Sequence, residues 1–266
     1  MMETQAEPNL CLDVGNTATK AAVFRAGRLV GSVVRFTDQE WAVADRLVTN
    51  HGVKNIIYST VANVPPAQWT DKWTAAGLRV VPLSSCTRLP FVSRYTTMDT
   101  LGQDRIAVVA AGVGRVTPTA PASAPNLPPG VPPKLIVDAG TCITLDLVDA
   151  TGTYLGGNIS PGLRMRLRAM HEFTARLPLP RSTVVQGAVG ISTEGALLHG
   201  GRLGAVYEIE GLYRRLSGEH ADLRLWLTGG DAAWLADHLS VPFFHYPNLV
   251  LEGLHQILTY HVAHLS

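Results

Sequence analysis

Short apolar runs separated by turn residues open the chain. Residues 10–13 read as a buried strand, and 17–24 and 29–36 as two more, joined through Ala26-Gly27-Arg28. The period then changes. From Asp38 to about His51, Trp41, Ala44, Leu47 and Val48 recur at helical spacing. Residues 55–59 read as a strand, 65–77 as a helix with a proline near its first turn, and 79–83 as a strand. A helix over 100–113 follows, with Leu101, Ile106, Val109 and Val113 inward.

The stretch 115–133, RVTPTAPASAPNLPPGVPP, breaks this rhythm. Its Pro and Ala content and lack of large apolar side chains predict an extended linker or exposed loop. Strands resume at 134–138, 144–148 and 154–159, with a turn at Thr151-Gly152. Helices are expected over 162–174, 192–216 and 232–238. A buried strand at 223–227 ends in Thr228-Gly229-Gly230-Asp231. The last segment, 249–264, is amphipathic, with Val250, Leu254, Ile257, Leu258 and Val262 on one face.

The pattern also repeats. Leu10-Cys-Leu-Asp-Val-Gly-Asn-Thr17 is echoed by Leu135-Ile-Val-Asp-Ala-Gly-Thr141, 125 positions later. At that offset Leu10 pairs with Leu135, Asp13 with Asp138, Gly15 with Gly140, Thr19 with Thr144, Val23 with Val148, Gly27 with Gly152 and Gly31 with Gly156. Average composition would give about one or two such identities over this span. The repeat predicts two copies of one domain, 1–114 and 134–266, with 115–133 between them. Two Asp-Gly turns, each closing a buried strand, could then face each other across a cleft.

Composition narrows the classes. Hydrophobic residues make up 46% and charged residues 16%, which describes a well-buried globular chain. Lys+Arg 22 against Asp+Glu 21 leaves no charge excess to attract nucleic acid or an anionic membrane. Cys11, Cys86 and Cys142 lack zinc-ligand spacing and read as buried thiols of a reducing compartment. No secretory signal or membrane-length apolar run is visible, so a cytoplasmic protein is expected.

Four motifs can carry chemistry. Asp13-Val-Gly-Asn-Thr17 with Lys20 combines a carboxylate for Mg²⁺, a Gly15 turn, the Asn16 and Thr17 donors, and a cation for phosphates. It is not a Walker A loop, because the second Gly is missing and a strand follows. A plain β-turn with a surface Asp accounts for one such block as well; the second copy favours function. That copy, Asp138-Ala-Gly-Thr-Cys-Ile-Thr144, has Leu145 at the position matching Lys20, so the two turns are not equivalent. Thr228-Gly229-Gly230-Asp231 could let a base or ribose lie against the backbone, or be an ordinary strand-to-helix turn. In Tyr95–Arg105, Gly102 precedes Asp104 and Arg105 at a helix start. Asp104 could accept a hydroxyl proton and Arg105 could bind an anion. By itself this motif is explained better by a first-turn Asp complementing the helix dipole and a solvated Arg.

Taken in order, the motifs resemble the actin/hexokinase/Hsp70-type ATPases and, more closely, type III pantothenate kinases. The resemblance rests on Asp13–Lys20, Tyr95–Leu101, Gly102–Arg105, Asp138–Thr141, Gly156–Gly162, Thr174–Pro178 and Thr228–Gly230. It implies an α/β fold of two duplicated ribonuclease-H-like (actin-like ATPase) domains with a nucleotide cleft between them. It implies ATP-dependent phosphorylation of pantothenate to 4'-phosphopantothenate, the first step of coenzyme A biosynthesis, with Asp104 as general base. Asp13 would sit by Mg²⁺, and Gly15, Asn16, Thr17, Lys20, Thr141, Gly229 and Gly230 would contact ATP. Tyr95, Gly102, Gln103, Arg105 and Thr193 would contact pantothenate, and Asp138 would bind a monovalent cation, K⁺ or NH₄⁺. Members of that family are homodimers whose site uses both subunits. Met98, where Pro is usual, and Ser192, where Asn is common, depart from the family pattern. Two alternatives share the fold: a non-catalytic regulatory or accessory protein, and a kinase for another small hydroxy acid.

Overall fold

A computed structural model describes residues 7–15, 18–60, 64–114 and 131–265. Asn16, Thr17 and most of the expected 115–133 linker lie outside the described residues. The chain divides into two compact units, Met1–Ser123 with Asn248–Ser266, and Ala124–Pro247.

The first unit contains strands β1 (Asn9–Val14), β2 (Thr19–Arg25) and β3 (Arg28–Phe36), helix α1 (Ala42–His51), β4 (Asn55–Thr60), α2 (Ala67–Ala75) and β5 (Arg79–Pro82). A 3₁₀ turn, Met98–Thr100, leads into α3 (Gln103–Gly114). The sheet order is β3-β2-β1-β4-β5. β1, β2 and β3 are antiparallel neighbours, while β1, β4 and β5 run parallel. One face of the sheet packs Leu10, Leu12, Val14, Ala21 and Val23 against Trp41 and Trp73. This is the face covered by the two crossover helices, as parallel strands require.

In the second unit, β6 (Lys134–Ala139), β7 (Cys142–Val148) and β8 (Tyr154–Pro161) lead to α4 (Leu163–Glu172) and α5 (Thr193–Leu198). A π-helical segment, His199–Leu203, joins α5 to α6 (Gly204–Ser217), so the helix expected over 192–216 is interrupted. β9 (Arg224–Thr228), α7 (Ala232–Ala236) and β10 (Phe243–His245) complete the unit. Its sheet order, β10-β9-β6-β7-β8, is the first sheet's order strand for strand. β10 was not expected from the sequence: three residues after Pro242 are too few for an alternating pattern to show.

The repeat carries a shift that the constant offset conceals. Asp13 lies between Lys20 on β2 and Ser59 on β4, and Asp138 between Thr144 on β7 and Thr228 on β9. The second hairpin is therefore one residue shorter, and Thr144, not Leu145, occupies the place of Lys20. Leu145 points into the core, as Ala21 does in the first unit.

α8 (Leu249–Ala263) follows the second unit in sequence but packs on α3, β1, β4 and β2 of the first. The second domain expected over 134–266 therefore ends before this helix, which belongs to the first unit. α8 is buried over Leu249–Leu251, Gly253–His255 and Ile257–Leu258, far more than one amphipathic stripe. A Cβ on Gly253 would collide with the Ala107 carbonyl, so glycine lets the two helices touch backbone to backbone. α3 is correspondingly buried on all sides from Arg105 to Gly112.

Of the cysteines only Cys11 is buried; Cys142 is half-buried and Cys86 exposed, so the expectation of three buried thiols holds for one. Among the described residues no helix is long and apolar enough to cross a membrane.

Candidate active site

Asp13 stands one residue before the end of β1, where the chain turns into β2. Gly15 donates its N–H to the Ala18 carbonyl at 3.3 Å and closes the described part of the turn. Cross-strand pairing sets Lys20 beside Asp13 on one side and Ser59 on the other. Ser59 Oγ donates to Asp13 Oδ1 at 3.3 Å. Burial pushes the Asp13 carboxyl above its ordinary range, and the Asp104 charge adds to this. Lys20, the Ser59 hydroxyl and Arg35 act in the opposite direction. Burial thus disfavours the ionised form of Asp13, which a bound cation would stabilise.

Asp104 reaches this neighbourhood from the first turn of α3. Gln103 Oε1 accepts the Thr60 N–H at 2.7 Å, which ties the start of α3 to the end of β4, next to Ser59. Asp104 Oδ1 accepts the Arg105 N–H at 2.8 Å. A Cβ at position 102 would lie 2.6 Å from that same oxygen, so Gly102 makes room for the carboxylate. Arg105 is only 3% exposed, and its guanidinium lies over the Tyr95 ring at 5.5 Å. It is therefore not the solvated arginine of a simple helix start. The first unit thus brings Asp13, Gly15 and Lys20 together at one end of its central strands. It brings Tyr95, Gly102, Gln103, Asp104 and Arg105 together around one helix start, and the Asp104 charge acts on Asp13.

The second unit arranges its turn differently. Asp138 lies between two buried hydroxyl residues, Thr144 and Thr228. Gly140 N–H donates to the Cys142 carbonyl at 2.9 Å, leaving Thr141 exposed at the tip. Gly162 N–H donates to the Thr141 carbonyl at 3.1 Å, and a side chain there would strike the Gly140 and Thr141 carbonyls. Gly229 has φ +99° and lies against the Ala139 backbone, where no Cβ fits. Its conformation is required by its own chain. Gly230 borders open space, so it is the glycine with room for a ligand. Thr193 is exposed at the start of α5, after Ser192, whose Oγ accepts the Gly195 N–H at 3.1 Å.

Sequence reasoning passed over Ser59 and Arg35. Nothing in their local motifs marks them; only strand pairing places them in line with Asp13.

Two α/β units with one strand order, each ending its first strand in an Asp-Gly turn, define a protein of the actin-like ATPase fold. Among solved structures, a Campylobacter jejuni protein assigned to the Baf family of transcriptional activators superposes with a TM-score of 0.59 at 20% identity, covering 96% of this chain and 99% of that one. The ADPNP-bound activator of 2-hydroxyisocaproyl-CoA dehydratase from Clostridium difficile superposes at 0.53 and 14% identity, covering 96% and 94%. These likenesses speak to the fold alone. Sequence comparison reaches further: the type III pantothenate kinase family model matches residues 9–215. A type III pantothenate kinase from Bacteroides fragilis is 37% identical over 257 residues, 95% of this chain and 98% of the relative. One from Christiangramia forsetii is 36% identical over 253 residues, again covering 95% and 98%. The chain belongs to the type III pantothenate kinase family.

Proposed function

We propose that this chain transfers the γ-phosphoryl group of ATP to the primary hydroxyl of pantothenate, the first step of coenzyme A biosynthesis. The observation that carries the reading is the convergence of Asp13 and Asp104 on one face of the first sheet, in a chain of this family. Asp104 is the base for the attacking hydroxyl. It need not be strongly basic, because phosphoryl transfer through a loose transition state depends mainly on positioning and charge stabilisation. Tyr95, Gly102 and Arg105 hold pantothenate. Gln103, whose amide oxygen is taken by Thr60, positions the helix start that presents Asp104.

The nucleotide phosphates lie at the Gly15–Lys20 turn, with Asn16 and Thr17 as donors, and Thr141 and Gly230 as further nucleotide contacts. Gly229 serves by letting its neighbour approach. Asp13 suits Mg²⁺: it is a hard oxygen donor, and Mg²⁺ needs only one or two carboxylates when phosphates and waters complete its shell. The absence of a three-ligand cluster among the described residues is compatible with that demand. Bound Mg²⁺ would offset phosphate charge. Asp138, with the Thr144 and Thr228 hydroxyls on either side, offers oxygen donors for K⁺ or NH₄⁺.

We assign a homodimer to this activity. Phe173, Val184, Val189 and Ile191 are all exposed, Ile191 fully, in the segment that leads to Thr193. Exposed apolar side chains so close in sequence support an interaction surface there. In this reading the protein works in a reducing cytoplasm, which its three free cysteines fit.

Asp104→Asn tests the central claim. Its kcat should fall about 10²- to 10⁴-fold while MgATP binding survives. Normal turnover of pantothenate by that variant would remove Asp104 as the base. Loss of pantothenate-dependent turnover on replacing K⁺ with Na⁺ is expected if Asp138 holds the cation.

A further inference from the structure

The first sheet carries a row of charged heads running across three strands. Arg35 on β3 is the direct partner of Lys20 on β2, which is the direct partner of Asp13 on β1. Direct cross-strand partners project to the same face. At the usual spacing of strands, Arg35 stands about 10 Å from Asp13 backbone to backbone, within reach of an extended guanidinium. Arg35 is exposed, and among the described residues it makes no hydrogen bond or ion pair. Its charge still acts on the Asp13 carboxyl.

An exposed arginine is ordinarily just solvated. Here its place in the row gives it a direction. Asp104 approaches Asp13 from the β4 side, because Gln103 is tied to Thr60. Lys20 and Arg35 lie on the opposite side. In phosphoryl transfer the attacking oxygen, the phosphorus and the leaving oxygen are roughly in line. With the acceptor at Asp104 and the transferred group over Asp13, the leaving phosphates run toward Lys20 and Arg35.

We propose that Arg35 binds the non-transferred phosphates of the nucleotide. Its guanidinium matches two phosphate oxygens at once. As the acceptor oxygen bonds to the γ-phosphorus, the bond to the β-phosphate oxygen breaks and the hydroxyl proton passes to Asp104. Negative charge then grows on the leaving oxygen, and Arg35 meets it without exchanging a proton. The inference rests on the kinase reading given above.

The test is calorimetric titration of the full chain and its Arg35→Ala and Arg35→Lys variants with MgADP and with AMP, alongside steady-state kinetics. Arg35→Ala should weaken MgADP binding about ten- to a hundredfold and leave AMP binding within about twofold. Its kcat should fall and its KM for pantothenate stay put. Arg35→Lys should recover part of the MgADP affinity, because it keeps the charge and loses the fork. It carries the same criteria if the alanine variant melts early. Unchanged MgADP affinity, equal loss of AMP and MgADP, or a change confined to the KM for pantothenate would each overturn the proposal. If the wild-type chain failed to phosphorylate pantothenate while MgADP affinity still depended on Arg35, the acceptor assignment would fall and the phosphate contact would stand.

Discussion

Asp13 and Asp138 occupy the same place in two sheets of identical strand order, yet their surroundings differ at every matching position. Asp13 has Lys20 and Ser59 beside it; Asp138 has Thr144 and Thr228. Thr60, which follows Ser59, gives its N–H to the incoming helix through Gln103, whereas Gly229, which follows Thr228, folds back onto Ala139. The far ends of the strands differ as well. Asn9 and Asn55 form a paired amide relay, with Asn55 Nδ2 donating to Asn9 Oδ1 at 3.0 Å and Asn9 Nδ2 meeting His255 Nδ1 at 3.3 Å. At the equivalent positions the second sheet buries two cations, Lys134 and Arg224. Duplication preserved the strand order and the acidic turn and left the flanking chemistry open to change. One carboxylate stands beside a cation, the other between two hydroxyls.

Exchanging the residues beside the two carboxylates tests that division most severely. Lys20→Thr should lower kcat/KM about a hundredfold, as loss of one charge-stabilising donor does elsewhere. Thr144→Lys should not restore activity in that background, because it places the cation beside Asp138 and not beside Asp13. Rescue would show that the two turns are interchangeable.

Backbone fit separates the turns next. Gly229→Ala forces a Cβ onto the Ala139 backbone at a positive φ and should cost about 3 kcal/mol in a denaturant melt. Among the described residues Gly15→Ala meets only the Ala18 carbonyl, at 3.2 Å, and should cost less than about 1 kcal/mol. Equal losses would mean that the first turn is packed as tightly as the second.

The smallest expected effects concern pH. Burial, then the neighbouring Arg224 charge, brings the Lys134 ammonium down to about 8. The unfolded chain holds that proton to higher pH, so stability should rise between pH 8 and the ordinary lysine range. Lys134→Met should remove this rise and add about 1–2 kcal/mol at neutral pH. In the first unit burial brings His255 down to about 4. The unfolded histidine protonates first as pH falls, so stability should decline from about pH 6.5 toward 4. A flat melting temperature across either window would remove the corresponding assignment.

Much of this was legible because the signals are local. Alternation and turn residues exposed β1–β9, and the Asp-Gly blocks exposed the duplication. The constant offset missed the shortened hairpin, since one lost residue in a turn leaves the flanking apolar pattern intact; only pairing shows Thr144 opposite Asp138. Ser59 and Arg35 were hidden for the same reason: their relation to Asp13 runs across strands and not along the chain. Arg105 looked solvated because its burial depends on Tyr95, ten residues earlier. The placement of α8 was illegible because an apolar helix does not name its partner.

That placement bears on how the protein is made. The sheet that bears Asp13 is synthesised before the second unit, but the helix that covers it is encoded after that unit. Until Leu249–Ala263 emerges, one apolar face of that sheet and much of α3 must wait in water, exposed to chance partners. The unit between Ala124 and Pro247 has no such delay. Synthesis order and completion order are therefore reversed: the half of the chain begun first is the half finished last.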